Sequence, residues 1–509
     1  MASSGASPWN LNELAGLWPD RPGLVDTDRN HSFTYAELAD RASRLATGLS
    51  LLGVKRGDRV AGLLANGVPA VDLLFACATL GATLVPLNWR LSMREIEAIA
   101  ADIDAGLVVA SDEHVDMARA ALKGLPLVSF SGSPSFDDLL ASPLCSPPER
   151  AGMDDPLLIL YTGGTTGTPK GAILTHGSMA WNAINTSVSW GLTFSDIGPV
   201  FTPTFHTGFW NVFTLPLMLM GGCVLLPSRF DPGDCLSVVE RFRPTIFFLV
   251  PTMFQLVAEH PDFDQTDFSS LRWAISGGAP LPEPVYERWR SKVSVFKQGY
   301  GLTEVGPNNF ATPDATAGTK PGTVGRQTLF ARTRIVDDDG RNLPDGVPGE
   351  LLLAGPHMCA GYWNRPEATA ETIRDGWFHT GDVAKRDADG YFYIVDRKKD
   401  MIITGGENVY PAEVEAVLYA HPAVREAAVI GMPDPTWGEA VTAVVSLNEA
   451  VVATVEELRQ FTRDRLAHYK CPKSFVILDD LPKSGANKIS RTEAKKWLVE
   501  RANTSGAVL

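Results

Sequence analysis

Between Tyr35 and about residue 298 the chain alternates short apolar runs with segments of helical period, and this alternation most limits the folds open to it. Leu38, Ala42, Leu45, Leu49 and Leu52 share one helical face, with Gly53 placed to cap its end. Arg59-Val-Ala-Gly-Leu-Leu-Ala65 then reads as a strand, Val71 to Leu80 as a helix, and Ala82-Thr-Leu-Val-Pro-Leu87 as the next strand. Ser92 and Glu95 have the spacing of a capping box, and Gly106-Leu-Val-Val-Ala110 returns to strand. Further strands are expected near 157–160, 199–203, 222–226, 245–250, 271–276 and 293–298. Strands separated by helices pair in parallel and bury both faces, so layered α/β sheets are expected. Residues 111–156, rich in Ser, Pro and Asp, read as a looser connection.

The pattern changes between about 318 and 395. Asp339-Gly340, Asp345-Gly346, Asp375-Gly376 and Asp389-Gly390 separate short strand-like runs, the mark of antiparallel hairpins. The charged run Asp396-Arg-Lys-Lys-Asp400 suits a linker. Beyond it a helix at 411–420, strands near 424–431 and 440–446, a helix at 455–468 and a strand near 474–478 make a small α+β unit. The expected fold is α/β: residues 1–395 form a large N-terminal domain of layered sheets plus a distorted antiparallel β-barrel, and residues 396–509 a small C-terminal domain.

Leu157-Leu-Ile-Leu160 runs into Tyr161-Thr-Gly-Gly-Thr-Thr-Gly-Thr-Pro-Lys-Gly171. Gly163, Gly164 and Gly167 let backbone approach a phosphate closely. Thr162, Thr165 and Thr166 add hydroxyl donors, and Lys170 adds charge. The Walker loop is the obvious rival, but it needs Gly-Lys-Ser/Thr, and here Lys170 lies between Pro169 and Gly171.

Composition narrows the partners. The net charge of −14 argues against nucleic acid. That acidity falls almost wholly before residue 396, leaving the C-terminal part near neutral and better suited to meet polyanions. Cys77, Cys145, Cys223, Cys235, Cys359 and Cys471 are scattered, with no Cys-x-x-Cys pair, so neither a zinc site nor a disulfide framework is suggested. The first residues have neither the basic region nor the apolar stretch of a signal peptide. No uninterrupted apolar run reaches the ~18 residues that span a bilayer. Trp210 to Leu226, the richest stretch, reads as a buried helix followed by a strand. A cytoplasmic location without stable membrane insertion is expected.

The glycine-threonine run resembles the phosphate loop of the adenylate-forming enzymes, which include acyl-CoA synthetases, luciferases and amino-acid adenylation domains. Four further segments resemble that family in order: Ser276-Gly-Gly-Ala-Pro280, Gln298-Gly-Tyr-Gly-Leu-Thr-Glu304, Thr380-Gly-Asp382 with Arg397, and Pro482-Lys-Ser-Gly-Ala-Asn-Lys488-Ile-Ser-Arg491. The resemblance extends from about residue 20 to about 495 and implies ATP, Mg²⁺ and coenzyme A as the small molecules handled, with the C-terminal domain hinged and mobile.

Carried over residue by residue, it implies that Gly278, Ala279 and Pro280 border adenine and that Gln298, Gly299, Tyr300 and Gly301 form the nucleotide turn, with the Tyr300 ring stacked on the base. Thr303 would contact phosphate, and Thr162 and Glu304 would hold the metal. Asp382 would bind the ribose hydroxyls, and Arg397 ribose or phosphate. Lys488 would stabilise charge as the carboxylate attacks the α-phosphate. Asn487 departs from the family pattern, standing where glycine normally precedes that lysine, and Lys483 is the substitute to weigh. Gly405 and Gly406, in Thr404-Gly-Gly-Glu-Asn-Val-Tyr-Pro411, match the loop that lines the pantetheine tunnel, and Asp396 the hinge.

His206, in Phe205-His-Thr-Gly-Phe-Trp210, stands where amino-acid adenylation domains carry an aspartate for the substrate ammonium. Imidazole cannot play that part, so the resemblance implies a carboxylic acid without an α-amino group. Phe209, Trp210, Phe213 and Val250 point to a hydrophobic tail, fatty or aryl, and Asn308 with Asn309 to a polar group in the pocket; for Phe209 and Trp210 a place in the core is the competing reading. The function implied is an AMP-forming acyl-CoA synthetase. A ligase passing the acyl group to carrier-protein pantetheine and a non-catalytic acid- or nucleotide-binding module are the alternatives. The sequence admits a homodimer but does not specify one.

Overall fold

A computed structural model describes residues 7–144, 150–162, 169–448, 451, 453–483 and 489–505. The first half is α/β, as the alternation requires. Its largest sheet runs Leu127–Val128, Leu107–Ala110, Arg59–Leu63, Thr83–Pro86, Pro156–Thr162 and Lys170–Thr175 in spatial order. All neighbours are parallel except the last pair, which the glycine-threonine run joins as an antiparallel hairpin. A second sheet orders His31–Thr34, Pro22–Asp26, Cys223–Leu226 and Ile197–Pro199. A third, fully parallel, orders Ile246–Leu249, Trp273–Ser276 and Phe296–Gln298.

Local signals explain the helices between them. Tyr35–Leu51 starts on a Thr34–Glu37 capping box, and Gly53 follows at φ 98°. Met93–Ile103 starts on the Ser92–Glu95 box. The connection at 111–156 is more ordered than its composition suggests. It holds the helices Val115–Ala121 and Phe136–Leu140 and the edge strand Leu127–Val128, the second helix opened by a box at Ser135 and Asp138. Short capped helices such as these lack the long apolar period that a sequence reading depends on.

The antiparallel part begins earlier than 318, since Phe310–Ala311 already pairs with Arg326–Gln327. Its five-stranded sheet orders Arg332–Val336, Gly349–Ala354, Trp377–Arg386 and Ile373–Arg374, with Phe392–Arg397 also on Trp377–Arg386. Asp375-Gly376 forms a two-residue hairpin between Arg374 and Trp377, with φ of 51° and 76°, the double positive turn that Asp-Gly favours.

The C-terminal part packs Pro411–Tyr419, Val455–Arg463 and Arg491–Ser505 with a five-stranded sheet. Its central hairpin, Val424–Asp434 with Gly438–Leu447, is joined in parallel by Ser474–Ile477. The helix expected at 455–468 stops at Arg463, and a short 3₁₀ turn at His468–Lys470 follows. No helix among the described residues is long and apolar enough to cross a membrane. Cys77, Cys223, Cys235, Cys359 and Cys471 are buried free thiols; Cys145 lies outside the described residues.

Candidate functional site

The third sheet delivers three chain segments to one edge. Its register sets Leu249 beside Ser276 and Ser276 beside Gln298, so Val250, Gly277–Gly278 and Gly299–Tyr300 leave the carboxyl ends of neighbouring parallel strands together. The Gly299 N–H donates to Ser276 C=O at 2.7 Å, which ties two of the exits. Gly278, Ala279 and Pro280 are exposed at this edge. Gly301 is glycine for a steric reason: a β-carbon there would stand 2.3 Å from the Pro307 backbone. That contact folds the turn back and places Thr303 and Glu304.

Glu304 is the meeting point of the site. Its carboxylate is 8% exposed, and Oε1 accepts from Thr162 Oγ1 at 3.2 Å and from the Tyr362 hydroxyl at 3.0 Å. Among the described residues no hydrogen bond reaches Oε2. Thr162 ends the strand that enters the glycine-threonine run and Lys170 begins the strand that leaves it, with the Lys170 ammonium 5.5 Å from the Tyr362 ring centre. One carboxylate beside one hydroxyl fits a magnesium ion, which takes few protein oxygens and fills its shell with phosphate and water. Among the described residues no group of three or more His, Cys, Asp or Glu is suited to a metal.

Tyr362 has no assigned role among the sequence expectations. The structure places it. Residues 360–363 lie along Lys170–Thr175: Ala360 N–H donates to Ile173 C=O, Ile173 N–H to Gly361 C=O, and Trp363 N–H to Gly171 C=O at 2.7–2.9 Å. Asp102 secures the junction, accepting from Tyr161 Oη at 2.6 Å and pairing with Arg365 at 2.9 Å. Burial, and then the Glu304 carboxylate, push the Tyr362 phenol well up, so it stays a donor. Tyr362→Phe keeps the ring against Lys170 and removes one donor from Glu304. A loss of about tenfold in kcat/KM for Mg·ATP is expected, consistent with one hydrogen bond to a charged group. Unchanged steady-state kinetics would leave Tyr362 as packing only.

A second cluster lies on the barrel. Asp382, on Trp377–Arg386, is 3% exposed; it accepts from the Tyr300 hydroxyl and pairs with Arg397 Nε at 3.1 Å. Thr380 Oγ1 accepts the Asp382 N–H at 3.0 Å and fixes its backbone. Burial raises the Asp382 carboxyl above the usual carboxylate range, with Arg397 acting in the opposite sense. Tyr300 thus joins the nucleotide turn to the aspartate expected to take ribose.

Other expected residues fall into place unevenly. His206 is half-buried with its ring against Phe205, 4.7 Å between centres, and it precedes a π-helical turn at Gly208–Thr214. Such turns recur at functional sites. Phe209 and Trp210 are wholly buried within that turn, and the Trp210 indole donates to Thr204 C=O at 2.6 Å, so both rings belong to the core. Val250 is half-buried at the sheet edge. Asn308 and Asn309 are spent internally: Asn308 donates to Thr186 Oγ1 and Asn211 C=O, and Asn309 bonds the Gly306 C=O and His357. They supply no polar group to a pocket. Gly405 and Gly406 form an exposed hairpin tip between Ile402–Thr404 and Glu407–Val409. Lys483 pairs with Glu426 at 2.8 Å, which engages the substitute lysine elsewhere. Gly163, Gly164, Thr165, Thr166 and Gly167, together with Asn487 and Lys488, lie outside the described residues.

The family model described as AMP-binding enzyme matches residues 11–363, and that of the AMP-binding enzyme C-terminal domain matches residues 413–488. Feruloyl-CoA synthase of Amycolatopsis sp is 44% identical, over 95% of this chain and 99% of its own. Indoleacetate–CoA ligase of Aromatoleum aromaticum is 37% identical, over 97% and 98%. Among solved structures, the anthranilate CoA ligase AuaEII in complex with anthranoyl-AMP superposes with a TM-score of 0.91 at 27% identity, over 98% of this chain and 99% of that one. The o-succinylbenzoate CoA synthetase of Bacillus subtilis with its acyl-adenylate gives 0.86 at 32%, over 96% and 98%. Matched by family models in both its parts and by relatives over nearly its whole length, the chain belongs to the AMP-binding enzymes, in their AMP-forming carboxylate–CoA ligase branch.

Proposed function

We propose that this ligase activates an aryl-bearing carboxylic acid that has no α-amino group, and passes it to free coenzyme A. The carboxylate oxygen attacks the α-phosphorus of ATP; the bond to the β-phosphate oxygen breaks, giving acyl-AMP and pyrophosphate. The thiol sulfur then attacks the acyl carbon, the bond to the AMP oxygen breaks, and the thiol proton is lost. Acyl-AMP formation makes a poor electrophile reactive, because AMP leaves far more readily than oxide.

The convergence on Glu304 and Asp382 carries this reading. Thr162 and Glu304 would hold Mg²⁺, which when bound supplies positive charge to the polyphosphate. Tyr300 and Asp382 orient the nucleoside, and Lys170, Thr303 and Arg397 are assigned to phosphate by their places in the family segments. Lys488 is assigned the α-phosphate by its place in the family segment. Residues 1–395 are taken as the body of the enzyme and 396–509 as the part that turns between steps, with Asp396 as hinge and Gly405–Gly406 as the coenzyme A face. A cytoplasmic setting suits the cosubstrates.

The aryl preference rests on the relatives, together with one aromatic ring at the edge of the site: a β-carbon at Gly208 or at Gly277 would stand 3.5 Å from Phe248. Two of the most similar relatives act, by their names, on feruloyl and indoleacetate groups. A panel of hydroxycinnamic, benzoic, arylacetic and C8–C16 fatty acids, assayed for AMP release with coenzyme A, tests it. Arylpropenoic or arylacetic acids should give the highest kcat/KM; a preference for fatty acids by tenfold or more would overturn the assignment.

A further inference from the structure

The backbone of Asp396 belongs to one part of the molecule and its side chain to the other. The backbone closes the barrel ladder, opposite Val383 on Trp377–Arg386. The carboxylate, 3% exposed, reaches into the C-terminal part. Oδ2 accepts the Ala412 N–H at 2.6 Å, in the first turn of Pro411–Tyr419, where the N-cap Tyr410 offers no side-chain acceptor. Oδ1 takes Arg491 Nη1 at 2.5 Å. Arg491 opens the last helix and is fixed in turn by Glu415, with Nε on Oε1 at 2.8 Å and Nη2 on Oε2 at 2.6 Å; Asp400 lies 3.3 Å from Nη1.

We propose that Arg491 is a positioning residue which, acting through Asp396, latches the C-terminal part in the orientation seen here. The argument is one of connectivity. A turn of that part about residue 396 must break either the ladder bonds of the barrel or the side-chain bonds to Ala412 and Arg491. Breaking the side-chain set alone leaves the sheet whole. That set is also mechanically linked to the lysine segment: Ile489 pairs with Lys483, Ser490 N–H donates to Pro482 C=O, and Arg491 follows directly. The orientation held leaves Gly405 and Gly406 exposed, and on the two-step reading it is assigned to the adenylating step. The Arg491 fork is bidentate on Glu415 and thereby aims Nη1 at Asp396, a geometry that lysine cannot reproduce.

The proposal rests on the two-step reading above. It is tested in the full chain by measuring the half-reactions separately in Arg491→Met and Arg491→Lys: acid-dependent ATP–pyrophosphate exchange, and thioester formation from supplied acyl-AMP. Arg491→Met should lower exchange relative to thioester formation by about tenfold, the ordinary scale of conformational coupling, and Arg491→Lys should fall between. In an Asp396→Asn background, the same Arg491→Met change should leave the ratio almost unaltered, because the latch is already weakened. Trypsin cleavage after Arg397, Lys398 or Lys399 should quicken in Arg491→Met. Equal losses in both half-reactions, or an undiminished effect in the Asp396→Asn background, would overturn the latch and leave Arg491 as a structural tie to Glu415. Proteolysis does not depend on the chemistry, so a chain that never releases AMP refutes the ligase reading while trypsin still decides the latch.

Discussion

Lys488→Ala is expected to lower acid-dependent ATP–pyrophosphate exchange by about 10²–10³-fold, the cost of removing one preorganised donor from a developing oxyanion. Thioester formation from supplied acyl-AMP should change by less than about threefold, because phosphorus chemistry is over by then. The surrounding structure supports this division of labour. The segment that carries Lys488 leaves and rejoins the fold at the Lys483–Ile489 bridge, and Lys483 is held to Glu426 at 2.8 Å. Of the two lysines in that segment, one is therefore a structural tie. Lys483→Ala supplies the control: it should cost stability through an uncompensated Glu426, which is 8% exposed, while leaving the ratio of the two half-reactions intact. If both half-reactions fall equally in Lys488→Ala, the residue serves binding or folding and its assignment to the α-phosphate is wrong.

Legibility differed between fold and site for a physical reason. Where a segment announces itself by period, cap or turn chemistry, reading it needs only neighbours in sequence. The Tyr35–Leu51 helix, the Ser92–Glu95 cap and the Asp375-Gly376 hairpin are all of that kind. The nucleotide turn and the aspartate of Thr380-Gly-Asp382 were found as motifs, but their mutual bond through the Tyr300 hydroxyl spans 82 residues of chain and has no local signature. Tyr362 has no local signal for the same reason, since its value comes from an edge pairing with Lys170–Thr175 that brings it to Glu304, 58 residues away in sequence. Asn308 and Asn309 show the converse error. Two adjacent amides beside a catalytic motif suggest a polar pocket, yet both are consumed by buried backbone and side-chain partners, as unsatisfied interior amides would be too costly. Trp210 and Phe209 follow the bulk preference of large rings for the interior.

Glu304→Gln should separate metal binding from folding. The substitution is isosteric, and the amide oxygen can keep both hydrogen bonds now made to Oε1, from Thr162 at 3.2 Å and Tyr362 at 3.0 Å. What it removes is the negative charge and the second oxygen, replaced by an amide that offers hydrogens where a cation needs a lone pair. The fold should therefore survive, with little change in melting temperature, while the Mg²⁺ concentration for half-maximal exchange rises at least tenfold and kcat falls about 10²-fold. Manganese EPR in the presence of ATP gives a readout independent of turnover, and bound Mn²⁺ should drop in parallel. Tyr362→Phe, which keeps the carboxylate but loosens it, should shift the same binding curve by a smaller factor and in the same direction. An unaltered metal dependence in Glu304→Gln would remove the carboxylate from the metal site and reduce its role to a bracket between the Thr162 and Tyr362 hydroxyls. Because Oε1 already serves those two donors, Oε2 is, among the described residues, the oxygen left to meet a cation, and the ordering of the two variants tests that inference directly.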